Sequence, residues 1–112
     1  MELGEHQSKW VEALESGRYK QGRFSLRTDN KYCALGVACD VSGIADWEST
    51  GSGRYAYLGA PICLPPLVEE WLGLRGADVY SMIATMNDID MTFDDIADYI
   101  RLSHEKLFCV RK

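Results

Sequence analysis

Six positive side chains and three tyrosines are the residues whose types and spacing suggest chemistry. Arg18, Lys20, Arg23, Arg27 and Lys31 fall within one stretch whose only acid before Asp40 is Asp29, and Arg54 stands later beside Tyr55 and Tyr57. Guanidinium and ammonium groups grip phosphate oxygens through charged hydrogen bonds, and nucleobases stack on aromatic rings. Together with Tyr19, these residues (Arg18, Tyr19, Lys20, Arg23, Arg27, Lys31, Arg54, Tyr55 and Tyr57) are the expected contacts of a nucleotide-sized anion site. Two alternatives stay open: the basic residues as a solvated strand face, and the tyrosine pair as a cover for the core.

Other reactive residue types give less. Cys33, Cys39, Cys63 and Cys109 contain no CxxC pair, and His6 and His104 are the only histidines, so a structural metal site lacks its closely spaced ligands. Buried free thiols are the expectation, with Cys33 singled out because a thiol near a helix N-terminus can have a lowered pKa. The run Asn87 to Asp94 resembles a calcium loop only in acidity. Counted from Asp88, Phe93 stands where the sixth-position Gly belongs and Tyr99 where the twelfth-position Glu belongs, so a connector with Asn87 and Asp88 bonding the backbone is expected. No GxxxxGK or GxGxxG motif is present, no nucleophilic triad is spaced as one, and no cofactor or metal is expected.

The positioning elements follow from pattern. At 112 residues and 46% hydrophobic, the chain 1–112 is expected to be one folded domain. The formal charge of −5 disfavours long nucleic acid, which requires an extended basic surface. Without a signal-peptide pattern or an apolar run long enough to span a bilayer, no membrane association and a cytoplasmic location are expected. Trp10, Ala13 and Leu14 predict a helix over 6–15 closed by Gly17. Phe24-Ser25-Leu26-Arg27 alternates as a strand does, Thr28-Asp29-Asn30 turns the chain, and 31–39 begins as a returning strand and continues as a helix ending near Gly43. Residues 47–58, with Gly-Ser at the tip and Tyr55 and Tyr57 of equal parity, read as a hairpin. Further helices are predicted over Leu64 to Gly73, with Pro66 in the first turn and Gly73 at the end, from about Ala77 to Met86, and from Thr92, where Asp95 supplies a capping box and Met91 a staple to Ile96. Leu107, Phe108 and Val110 then dock as a last strand or a helix extension. The expected fold is α+β, with about four to five helices on a small antiparallel sheet from Arg18 to Cys33 and from Trp47 to Leu58.

The residues Trp10, Ala13, Leu14, Gly17, Tyr19, Gln21, Leu26, Cys33, Leu35, Gly36, Val37 and Cys39, followed by Leu64-Pro65, Trp71-Leu72-Gly73-Leu74, Met86-Asn87-Asp88, Phe93, Ile96, Ala97 and Ile100, resemble a family of small phage and prophage proteins. Its pattern is roughly KWxxALxSGxYxQ, FCxLGVxC, LPxxxxxWLGL and MNDxxxxFxxIAxYI; Tyr32 and Ala34 depart from the middle motif, which often carries Phe and a second Cys. The resemblance implies viral origin and a role inside an infected bacterium, and supplies no catalytic residues. Two expectations of different class follow. One is a nonenzymatic, homo-oligomeric anti-defence protein that sequesters a nucleotide immune signal of the cyclic dinucleotide or cyclic ADP-ribose type. The other is a nucleotide-processing enzyme, with Cys33, His104 or Asn87-Asp88 as reacting groups, or a protein-binding inhibitor of a host factor. The sequestering reading is the preferred one.

Overall fold

The computed structural model describes residues 4–23, 25–61, 64–73, 77–89 and 91–107. Phe24, Cys63, Leu74, Asp90, Cys109, the side chain of His104, and the segment from Phe108 onward expected to dock last lie outside the described residues. The chain is an α+β domain in which, among the described residues, five helices pack with a five-stranded mixed sheet.

Helix α1 spans Glu5–Glu15 and buries Trp10, Val11, Ala13 and Leu14, the 3-4 spacing of one helical face. Its end is marked by Gly17 at φ +78°, a conformation that glycine adopts without steric cost. Two short strands follow, β1 (Lys20–Gln21) and β2 (Arg27–Thr28), and then β3 (Lys31–Tyr32) leads directly into α2 (Ala34–Ser42). The β2–β3 connection is the turn expected at Asp29-Asn30, with Asp29 at φ +52°. Hairpin β4 (Trp47–Gly51) and β5 (Arg54–Tyr57) precedes helices α3 (Pro66–Leu72), α4 (Ala77–Asp88) and α5 (Phe93–Leu107).

The strand order is β1-β3-β2-β5-β4. Three pairings are antiparallel, but β1 runs parallel to β3, so the expected antiparallel sheet is corrected to a mixed one. Ser25 and Leu26 of the alternating stretch also stay outside the ladder. Leu26 is fully buried, and its amide donates to Pro61 O at 3.0 Å while its carbonyl accepts from Cys33 N at 3.2 Å. That carbonyl lies so close to Gly36 that a Cβ there would overlap Leu26 O and stand 2.8 Å from its carbonyl carbon. Backbone contact of this kind, rather than strand pairing, fixes Leu26.

Helix α2 is buried at every position from Ala34 to Cys39 and packs on α1, α3 and α4; a helix apolar all round belongs in a core. Trp10 joins it as an anchor, its indole Nε1 donating to Ala34 O at 2.9 Å. The capping box expected at α5 is present in both halves: Asp95 N donates to Thr92 Oγ1 at 3.1 Å, and Thr92 N to Asp95 Oδ2 at 3.3 Å.

Candidate functional site: an arginine on an aromatic wall

Strand register places the chemistry. Across the sheet, Gln21, Tyr32, Arg27, Tyr55 and Ser49 are successive partners in one row. Partners directly opposite share a face, as do residues two apart along a strand, so Tyr57 and Trp47 extend the same surface. The neighbouring row is Lys20, Lys31, Thr28 and Arg54, whose side chains project from the other face.

On the first face the rings meet edge to face. Tyr19 and Tyr32 have centroids 5.1 Å apart, Tyr32 and Trp47 5.8 Å, and Trp47 and Tyr57 4.9 Å, the offset geometry that the ring quadrupole favours. Asp40 of α2 fixes two of them, accepting from Tyr19 OH at 2.5 Å and from Trp47 Nε1 at 3.1 Å. The hydroxyl of Tyr57 accepts from Ala45 N at 2.7 Å. Burial and the Asp40 carboxylate hold the Tyr19 phenol well above the ordinary tyrosine range, and burial, with Asp40 behind it, raises Tyr32 too. Both rings therefore stay neutral at physiological pH.

Arg27 lies against this wall. Its guanidinium carbon is 4.0 Å from the Tyr55 centroid, 5.2 Å from Tyr32 and 5.6 Å from Trp47, within cation–π range of all three. Nε donates to Asp29 O at 2.8 Å. No other hydrogen bond or ion pair joins this guanidinium to a described residue, so its terminal nitrogens are uncommitted among the described residues. The side chain is half-buried. An arginine so held has already given up much of the rotamer freedom that binding would otherwise remove.

The expected site residues therefore divide. Arg27 and Tyr55 come together, with Tyr19 two rings away along the wall. Tyr57 belongs to the same face but is 1% exposed, so the expectation of a stacking surface there is corrected to a core residue held by Ala45. Lys20, Lys31 and Arg54 share the opposite face. Arg18 lines a shallow groove with Lys9, Glu12, Ala13, Ser16 and Val41, and Arg23 is exposed between β1 and β2. Reasoning from sequence missed Tyr32, Trp47 and Asp40 as parts of one wall; the shared parity of Trp47 and Ser49 with a paired strand was the available signal.

The other reacting groups considered have structural places. Cys33 is the N-cap of α2, with Gly36 N donating to its Sγ at 3.3 Å, but burial pushes the thiol up to about 11 despite the backbone donors. The lowered pKa considered for this position is corrected accordingly. Cys39 is raised further by burial. Asn87, fully buried, accepts through Oδ1 from Gln21 Nε2 at 3.0 Å and Ala34 N at 3.1 Å, and donates through Nδ2 to Gly22 O at 2.7 Å. Its amide is committed to three partners, two at the end of β1 and one at the start of α2. Among the described residues no group of three or more His, Cys, Asp or Glu side chains is placed to hold a metal ion, and no helix is long and apolar enough to cross a membrane.

Comparison with curated proteins and with solved structures gives no match. A family model described as Domain of unknown function (DUF8296) matches residues 4–104, a span that takes in α1 through most of α5 and with them the whole aromatic wall. The chain belongs to the DUF8296 family.

Proposed function

We propose that this protein binds a small nucleotide-type anion without cleaving it, and that in an infected bacterium it acts as an anti-defence sponge for a nucleotide immune signal of the cyclic dinucleotide or cyclic ADP-ribose type. The observation that carries the reading is Arg27, a guanidinium anchored through Nε and laid on three aromatic rings, with its terminal nitrogens uncommitted to described residues. Such a fork takes a phosphate bidentately, and each charged hydrogen bond is worth roughly 1.5–3 kcal/mol. Tyr55 beside it offers a half-buried ring on which a base can stack. The chain's net charge of −5 opposes long polyanions while the local field attracts a small one.

Sequestration rather than turnover accords with Cys33, kept as a thiol by burial, and with Asn87, whose amide is fully engaged. Phage origin rests on the motif resemblance. Self-association belongs to the same proposal: β4 is the outer strand of the sheet and exposes Glu48, Ser49, Thr50 and Gly51, an edge available to a second copy.

Incubation with cyclic dinucleotides and cyclic ADP-ribose isomers, followed by heating to release what was bound, tests the proposal. Intact recovery supports the sponge. A chemically changed nucleotide assigns an enzyme, and no retention of any member favours the protein-binding inhibitor. Sedimentation showing only monomer at micromolar concentration would remove the oligomer.

A further inference from the structure

We infer that the sheet face opposite Arg27 is a second anion-binding site, formed by Lys20, Lys31 and Arg54 and suited to a linear oligophosphate. Lys20 and Lys31 are direct partners in the β1–β3 ladder, and Thr28 connects Lys31 to Arg54 across β2. The three cations occupy one row on one face, and all three are exposed. None forms an ion pair with a described residue. The acids nearest in register are Glu48, which shares this face opposite Ala56, and Asp29 at the β2–β3 turn, whose carboxylate faces Gly53.

Like charges directly opposite one another destabilise a sheet. A lysine pair in that register, with no ion pair to a described carboxylate, is a local conflict between sequence and fold, and such conflicts concentrate at functional sites. Neighbouring strands lie about 4.8 Å apart, so Lys20 and Lys31 make one positive pole and Arg54 a second about 10 Å beyond Lys31. Orthophosphate reaches one pole. A chain of three or more linked phosphates reaches both, whether free or carried by a nucleoside. Thr28 between the poles is small, and its hydroxyl is taken by Ser25 Oγ at 2.7 Å, so nothing bulky separates them.

The test uses the full chain, sodium tripolyphosphate, adenosine triphosphate and orthophosphate at matched ionic strength, followed by thermal melting and titration calorimetry. Tripolyphosphate is expected to raise the melting temperature, and orthophosphate to raise it much less. Binding of adenosine triphosphate that Lys31→Thr weakens as it weakens tripolyphosphate supports the site; adenosine triphosphate binding that Lys31→Thr leaves unchanged overturns its extension to nucleoside-borne chains. Lys31→Thr, which keeps a good strand former, is expected to weaken tripolyphosphate roughly tenfold or more through the lost charged contact. The same substitution is expected to raise the ligand-free melting temperature by about 1–4 °C through relief of repulsion. Lys9→Gln, at an exposed cation on α1, is expected to leave tripolyphosphate binding unchanged. The inference is overturned by no tripolyphosphate effect, by full retention in Lys31→Thr, or by a loss in Lys9→Gln that equals the loss in Lys31→Thr. A Lys31→Thr variant that melts lower than the parent overturns the repulsion argument on which it rests.

Discussion

Replacing Asn87 by Ala removes three hydrogen bonds from a side chain with no solvent exposure. The losses are unequal. Ala34 N is buried and is the first helical amide of α2, so its unmet donor carries the full desolvation cost of about 1–3 kcal/mol. Gln21 Nε2 keeps its second acceptor, Met91 O at 2.6 Å, and loses little. Gly22 O is only part-buried and regains water, so about 1 kcal/mol is charged to it. With a small void left by the amide, the total is about 3–5 kcal/mol, a large share of the 5–15 kcal/mol typical of a domain. At roughly 4 °C per kcal/mol, the thermal midpoint should fall by about 12–20 °C. Urea unfolding of the parent, Asn87→Ala, Gln21→Ala and the double variant closes a thermodynamic cycle. A coupling of about 0.5–3 kcal/mol between the two sites is expected. If Asn87→Ala costs less than about 1 kcal/mol, or the coupling is nil, Asn87 does not join β1, α2 and α4 as described.

Gly36→Ala should destabilise by several kcal/mol or prevent folding, because the new methyl meets backbone atoms of Leu26 rather than a movable side chain; soluble yield and circular dichroism check it. Cys33 should resist maleimide in the folded protein at pH 7 and react on unfolding, its thiol being pushed up to about 11; peptide mapping by mass spectrometry resolves it from the other cysteines. Glu15 accepts two hydrogen bonds from Arg101, at 2.6 and 3.0 Å, which hold its carboxyl below the ordinary value of 4.5. The pair's contribution is therefore present above pH 4.5 and lost as pH falls through the lower folded value. Because the pair is exposed, Arg101→Gln should cost no more than about 1 kcal/mol at pH 7 and less still at pH 3, measured by urea unfolding at both.

Local chemistry made the helices legible. Gly17, Gly43 and Gly73 stand just past α1, α2 and α3 in the left-handed region, and Thr92 with Asp95 marks the start of α5; each signal acts over a few residues. The sheet was less legible because its pairings are long in sequence. Alternation at Ser25 and Leu26 gave no sign that Leu26 would bond Pro61 instead of a strand, nor did anything local set β1 parallel to β3. The site suffered most. Equal parity of Tyr55 and Tyr57 predicted a shared face, but only the β2–β5 register sets Arg27 opposite Tyr55 and sends Lys31 and Arg54 to the other side. Asn87 sat in a polar run that reads as a connector, while its partners lie 53 to 66 residues away.

The most direct measurement is calorimetric affinity for members of the cyclic nucleotide panel in the parent and in Arg27→Lys. Lysine keeps the positive charge but loses the planar fork and its stacking. The account predicts micromolar or tighter binding of at least one member, weakened roughly tenfold or more by Arg27→Lys, with the ligand-free stability reduced by no more than about 1 kcal/mol through loss of cation–π contact. A panel in which no member binds, or a nucleotide held equally by both proteins, contradicts it.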